Sequence, residues 1–279
     1  MKSCKVGIQG VRACFHDVAA RAYFSESIEP VECASFKSLC LTLDRKEVDV
    51  CMMAIENSIA SSILPNYSLL KNHDFCILGE IYLRIEMCLL ALPGQQLSEI
   101  KFVQSHPMAL AQCDEFLSGF PGMKILEAAD TAESAKHIGD KGLRGYAAIA
   151  SRLAAQTYGL ELLREGIESN RQNYTRFLAI CRREDYLVPE GANKATLCFE
   201  SPDEPGSLSA ILGIFSRHAI NLTKIQSVPV LGKPYKYSFH VDIEWNDRAQ
   251  YLAALAELPD MALNLVQFGE YRCGDRPWL

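Results

Sequence analysis

The feature that most limits how this chain can fold is the alternation of strand and helix signals near its N-terminus. Lys5–Gln9 reads as a strand, Gly10–Asp17 as a loop entering a helix that continues through Ala19–Phe24, and Val31–Ser35 as a second strand. Phe36–Arg45 follows as a helix and Val48–Ile55 as a third strand. A β-α-β-α-β order predicts a parallel sheet with helices on its faces. Ligands of such sheets gather at the carboxyl ends of the strands. Glu56-Asn57-Ser58 falls at that end of the third strand. The same three residues also suit a turn with an N-cap, and position alone leaves both readings open.

Ile77–Leu83 and Met87–Ala91 are further strand signals, with Pro93-Gly94 as a turn. Val103-Gln104-Ser105-His106-Pro107 ends a strand and starts a helix over Met108–Leu117. There Ser105 is suited to cap the helix, or to meet a carboxylate at its exposed amides, and Pro107 is a good first-turn residue. His106, a lone histidine, is more often structural than catalytic. Lys124–Ala128 reads as a strand, Asp130–Ala135 as a capped helix start, Tyr146–Ala150 as a strand, and Ser151–Tyr158 as a helix stopped by Gly159.

Next comes Asn173-Tyr174-Thr175-Arg176-Phe177, which leads into the apolar run Leu178-Ala179-Ile180. In an extended segment alternate side chains face opposite ways, so Asn173, Thr175 and Phe177 share one face. The long Arg176 side chain is able to reach the same cleft from the neighbouring face. The plainer alternative is a strand whose Thr and Phe pack and whose Arg is solvated. The βα-rich halves before this stretch, with a strand returning toward the first, predict a two-lobed domain with a cleft.

Glu184–Asn193 is polar, contains Pro and Gly, and reads as a linker. Beyond it the pattern changes. Ala195–Glu200, Ile220–Val230, Tyr235–Ile243 and Ala262–Tyr271 read as strands, and Ser207–His218 and Arg248–Leu258 as helices. Leu208, Ile211, Leu212 and Phe215 form one apolar stripe on the first helix, and Asp247 is placed to cap the second. This is a βαββαβ unit of ferredoxin-like type. No catalytic constellation falls in it; such modules bind small ligands or further copies of themselves. The expected division is residues 1–183 as a catalytic domain of two lobes, 184–193 as a linker, and 194–279 as a regulatory domain.

Composition narrows the partners. An apolar share of 49%, a charged share of 22% and a net charge of −6 describe an ordinary globular protein and speak against nucleic acid. No apolar run approaches the roughly 20 residues that span a bilayer. The opening residues show no long apolar core or cleavage site, so a cytoplasmic location is expected. Eleven cysteines, with no C-x-x-C pair and mostly apolar neighbours, point to buried thiols rather than to disulfides or a metal site.

With these residues laid out, the chain resembles the prephenate dehydratase family over nearly its whole length. The resemblance rests on Ala54-Ile55-Glu56-Asn57-Ser58, on Ser105-His106-Pro107 with Ala109-Leu110 and Gln112-Cys113, and on Asp130-Thr131-Ala132 with Ser134-Ala135. It continues through Ala147–Ser151, Tyr158-Gly159-Leu160 and Asn173–Phe177. Pro205-Gly206-Ser207-Leu208 and Asn221–Ser227 resemble the ACT domain that the family carries. The implied fold is α/β: a two-lobed catalytic domain like a periplasmic binding protein, then a ferredoxin-like ACT domain. The chain departs from the family's G-P-x-G-T-F-S opening loop with Gly10-Val11-Arg12-Ala13-Cys14-Phe15-His16, where Ala13 stands at the second glycine. Ser61 likewise replaces a glycine after E-N-S, and Gln226-Ser227-Val228-Pro229 replaces E-S-R-P.

The resemblance implies conversion of prephenate to phenylpyruvate in phenylalanine synthesis, without cofactor or metal. Thr175 is implied as catalytic. Asn57, Ser58, Ser105, Asn173, Arg176 and Phe177 are candidates for binding substrate, with Arg176 expected on the side-chain carboxylate. Gly206, Ser207, Leu208, Gln226 and Ser227 are implied in phenylalanine sensing, and the expected assembly is a homodimer or homotetramer. An arogenate dehydratase and a non-catalytic small-molecule sensor of the same fold are the alternatives.

Overall fold

The computed structural model describes residues 3–230 and 232–278. In chain order its elements begin with β1 (Lys5–Gln9), α1 (Phe15–Tyr23), β2 (Glu29–Cys33), α2 (Phe36–Asp44), β3 (Val50–Asn57), β4 (Ser61–Ser62), α3 (Leu64–Asn72) and β5 (Phe75–Arg84). They continue with β6 (Cys88–Ala91), β7 (Phe102–Ser105), α4 (Pro107–Gln112), α5 (Asp114–Ser118), β8 (Lys124–Glu127), α6 (Thr131–Lys141), β9 (Tyr146–Ala150), α7 (Arg152–Tyr158), β10 (Glu161–Arg164) and β11 (Tyr174–Arg182). The last are β12 (Lys194–Glu200), α8 (Ser207–Arg217), β13 (Asn221–Pro229), β14 (Tyr237–Glu244), α9 (Arg248–Glu257) and β15 (Leu263–Tyr271).

The N-terminal alternation forms the parallel ladder expected of it. β1 lies between β2 and β3, with Lys5 opposite Glu29 and Val6 opposite Val50, in a sheet of order β2-β1-β3-β11-β5. Cys51 through Ile55 are all buried, as strands covered on both faces should be. β2 starts at Glu29, opposite Lys5, and ends at Cys33 rather than Ser35 because Ser35 caps the next helix. Its hydroxyl accepts from the Ser38 N–H at 3.1 Å, and the Ser38 hydroxyl accepts from the Ser35 N–H at 2.9 Å. β3 runs on through Asn57 and folds back onto β4, so Glu56 and Asn57 are strand residues, not a turn.

The second sheet, of order β10-β6-β9-β7-β8, is mixed: β7 is parallel to β8 and β9, while β6 is antiparallel to β9 and β10. Asp130 caps α6 through the Ala132 and Glu133 N–H groups, Ser151 caps α7, and Gly159 ends it at φ 64°. The helix expected over Met108–Leu117 is two helices. Its break follows from the Gln112 carbonyl, which accepts from the Ser169 N–H at 2.8 Å instead of serving the helix. Ser105 does not cap it either. Strand β7 runs through Ser105, and the cap is His106, whose Nδ1 accepts from the Met108 N–H at 3.2 Å.

The third sheet, of order β13-β14-β12-β15, is antiparallel in each pair and carries α8 and α9, which is the predicted βαββαβ unit. Ile211 and Phe215 of the apolar stripe are fully buried with Phe199, Val241 and Tyr251, and Leu208 and Leu212 flank them. By contacts the chain divides into two compact units. One contains the described residues through Ser62 plus Tyr82–Phe177; the other contains Ile63–Ile81 plus the residues from Leu178 onward. The boundary expected at residue 183 follows chain order, whereas α3 and most of β5 group with the C-terminal residues. Within that unit the Lys194 ammonium, 1% exposed, sits 2.8 Å from Glu80 and 3.2 Å from Glu244, the pairing a buried charge requires. Among the described residues no cysteine is joined in a disulfide, nine of the eleven are buried, and no helix is long and apolar enough to cross a membrane.

Candidate active site

Strand β11 is sewn to the end of β3 by Ser58. The Ser58 N–H donates to the Tyr174 carbonyl at 2.8 Å, and the Tyr174 N–H donates to Ser58 Oγ at 3.0 Å. The Ser58 hydroxyl in turn donates to the Gln172 carbonyl at 2.8 Å. Ser58 thereby holds the strand that carries Thr175, and its hydroxyl hydrogen is already engaged.

Asn57 has every polar atom placed. Its Oδ1 accepts from the Ile59 N–H at 2.9 Å and the Ala60 N–H at 2.8 Å. Backbone N–H groups only donate, so this end of the amide must be the oxygen. The other end, Nδ2, then donates to Asn173 Oδ1 at 2.8 Å and to Thr175 Oγ1 at 2.9 Å. Asn173, fully buried, donates onward from Nδ2 to Gln112 Oε1 at 3.0 Å. A chain of amides thus runs from Gln112 on α4 to the Thr175 hydroxyl. Thr175 is 8% exposed. Its oxygen accepts from Asn57, and no group among the described residues takes its own hydrogen. The hydroxyl is therefore held as a donor, preorganised by neighbours that are themselves satisfied.

Neighbouring strands share faces, so Asn57 meets Thr175 and the residues beside them, Glu56 and Arg176, meet on the other face. Arg176 Nη1 lies 3.2 Å from Glu56 Oε1, the guanidinium stands 5.9 Å from the centre of the Tyr82 ring, and the residue is 3% exposed. In this structure, then, the guanidinium expected to grip a substrate carboxylate is paired with a carboxylate of its own chain. Strand alternation turns it away from the Thr175 face. Phe177 stays in phase with Thr175 but is 1% exposed, its ring packed edge-on against His16 with centroids 5.0 Å apart.

Ser105 is fully buried, and its hydroxyl donates to the Ile149 carbonyl at 2.6 Å. It ties β7 to the neighbouring β9. The loop between β1 and α1 is held from the two ends of α7. The Ser151 hydroxyl donates to the Ala13 carbonyl and the Tyr158 hydroxyl to the Arg12 carbonyl, each at 2.6 Å. Ala13 has φ 65° and Ser61 φ 70°, so both residues that replace a family glycine stand in the left-handed region glycine favours. Burial, with the nearby Asp130 carboxyl, pushes the Cys14 thiol well above the ordinary range, so it offers no thiolate. Burial likewise raises the Asp130 carboxyl.

The profile of the prephenate dehydratase family matches residues 6–185, a span that contains every residue of this site. The chain belongs to the prephenate dehydratase family. An ACT-domain profile matches residues 196–258. Arogenate dehydratase/prephenate dehydratase 2 of Arabidopsis thaliana is 35% identical over 280 residues, 96% of this chain and 72% of that protein. The bifunctional chorismate mutase/prephenate dehydratase of Aquifex aeolicus is 33% identical over 272 residues, 97% of this chain and 74% of that one. Among solved structures, the prephenate dehydratase of Arthrobacter aurescens in complex with L-Phe superposes with a TM-score of 0.84 at 28% identity, covering 96% of this chain and 89% of its own. GqqA, described as a novel type of quorum quenching acylase, superposes with a TM-score of 0.88 at 29% identity, covering 98% and 99%.

In the C-terminal unit, Gly206 (φ 86°), Ser207 and Leu208 line a cavity of about 350 Å³ together with Pro202, Tyr235 and Phe239. Gln226 and Ser227 lie apart from that lining, on the outer strand β13. Residues that family motifs did not single out by role are Gln112, Glu56, Tyr82 and His16. Gln112, Glu56 and His16 stood in quoted motifs and Tyr82 did not; their partners are distant in sequence.

Proposed function

We propose that this chain is a prephenate dehydratase that removes hydroxide and carbon dioxide from opposite ring carbons of prephenate to give phenylpyruvate. The observation that carries the reading is the Asn57 N–H donated to Thr175 Oγ1, which leaves the threonine hydrogen for the substrate. As the ring C–O bond breaks, that hydrogen stabilises the charge growing on the departing oxygen, which leaves as hydroxide and takes a proton from solvent to become water, the threonine keeping its own. The electron pair of the C–CO₂ bond closes the aromatic ring. Asn57, Asn173 and Gln112 keep the donor aimed, Ser58 fixes the strand that carries it, and Ser105 ties to β9 the strand that leads into the Gln112 helix. Arg176 acts through Glu56, whose position its guanidinium sets.

The arogenate reading shares this chemistry, since only the side-chain amine differs from the ketone. A second reading comes from the likeness to GqqA. Acylase chemistry at Thr175 requires a base that takes the hydroxyl proton. Asn57 instead donates to that oxygen, which weakens it as a nucleophile. We further propose a cytoplasmic enzyme that assembles as a dimer or tetramer and senses phenylalanine at the cavity beside Gly206–Leu208.

The test is incubation of the purified chain with prephenate, arogenate and an acylated amide, with and without L-phenylalanine. Phenylpyruvate formation from prephenate is the expected result. Amide hydrolysis with no loss of prephenate would sink the dehydratase reading.

A further inference from the structure

His16 stands where the family loop carries a serine, and its ring packs on Phe177, which shares a strand face with Thr175. Its ring is clamped edge-on between Phe177 at 5.0 Å and Phe36 at 5.4 Å and is 8% exposed. The β1–β3 register ends at Ile8 opposite Met52, and the Ala54 N–H lies beyond it. That N–H donates to His16 Nε2 at 3.3 Å. A nitrogen that accepts carries no hydrogen, so the imidazole proton sits on Nδ1. Burial holds the pKa of the ring down to about 3, which keeps it neutral. No group among the described residues accepts the Nδ1–H. The residue lies in the first turn of α1, a helix of nine residues whose leading amides add positive potential. Phe177 is two residues along β11 from Thr175 on the same face, roughly 7 Å by strand geometry.

We infer that His16 is a specificity-determining residue whose Nδ1–H binds the 2-oxo oxygen of the substrate side chain and disfavours a 2-ammonium group there. The inference rests on the dehydratase reading for its substrate. A ketone accepts a hydrogen bond; an ammonium only donates, and two donors facing each other repel. Moving the imidazole proton to Nε2 does not relieve this, because it would then oppose the Ala54 N–H. A site built to hydrogen-bond one group rejects the analogue that leaves its buried donor unpaired.

The experiment compares the full chain with His16→Phe, which keeps a ring between Phe36 and Phe177, and with His16→Asn, whose amide hydrogen takes the place of Nδ1–H. In His16→Phe, kcat/KM for prephenate should fall about 10–100-fold, mainly through KM, while arogenate changes less than about threefold. His16→Asn should recover most of the loss, and it carries the comparison if His16→Phe folds poorly. Equal losses for the two substrates, or no loss for prephenate, overturns the assignment. Phenylpyruvate affinity, measured by calorimetry, should drop about tenfold in His16→Phe. If the unmodified chain turns over neither substrate, the dehydratase reading fails by itself. The His16 assignment is then decided by that affinity, and unchanged or absent phenylpyruvate binding overturns it.

Discussion

Asn57 and Thr175, separated by 118 residues in the chain, are joined by one hydrogen bond of 2.9 Å whose direction is fixed. The Ile59 and Ala60 N–H groups hold the Asn57 oxygen, so the nitrogen must face the hydroxyl. Replacing Asn57 with Asp keeps the shape and reverses the bond. Its carboxylate accepts the threonine hydrogen and withdraws it from substrate. Asn57→Asp should lower kcat about 100–1,000-fold with a small change in KM. Thr175→Val should do the same, and the double variant should be no worse than either alone, because the two residues act as one unit. Steady-state kinetics on the four proteins checks this; additive losses would separate the residues.

Arg176 is buried against Glu56, so its loss should be read first in stability. Removing one partner leaves the other charge poorly compensated. Arg176→Met should destabilise the fold by about 2–4 kcal/mol in urea unfolding, and Arg176→Met with Glu56→Gln should recover part of that. An Arg176→Met protein of unchanged stability with a greatly raised KM would return Arg176 to direct substrate binding.

Ala13 holds φ 65°, a conformation that costs an L-residue about 1–2 kcal/mol. Glycine removes that strain but gains freedom in the unfolded chain, which offsets part of it. Ala13→Gly should therefore stabilise the protein by about 0.5–1 kcal/mol, seen as a higher midpoint in thermal or urea melts. A destabilised variant would mean that the Ala13 methyl group, buried with Leu90 and Ala148, contributes more than the backbone strain removes.

His240 is buried on the third sheet, with Cys198 Sγ 3.5 Å from Nε2 and the Tyr67 ring 5.0 Å away. Burial, reinforced by the Lys71 and Lys224 charges and opposed by Asp242, holds its pKa down to about 4. A depressed folded-state pKa means that the unfolded chain binds the proton first as pH falls. The stability linked to neutral His240 is thus complete above about pH 6.5 and is lost as pH falls from there toward 4, at up to about 1.4 kcal/mol per pH unit. Urea unfolding at several pH values should show a shallower loss in His240→Gln than in the unmodified chain. Parallel curves would refute it.

Much of the framework was legible because its causes are local. The caps at Asp130 and Asp247 and the stop at Gly159 each depend on bonds spanning a few residues, and each formed where the sequence placed it. The helix over Met108–Leu117 was misread for the opposite reason. Its break is made by Ser169, far along the chain, and nothing within the helix announces it. α3 was missed because its nine residues have no clear apolar stripe, only a proline near the start.

For the site, the sequence by itself determined which residues share a face. A strand repeats every two residues, so Thr175 and Phe177 had to point one way and Arg176 the other. Only the tertiary structure decided what each face meets. Arg176 found Glu56, 120 residues away; Asn173 found Gln112, 61 away; His16 found Ala54, 38 away. Such partners are chosen by which strands become neighbours. That is set by burial of the whole apolar set, so no short stretch of residues carries the information.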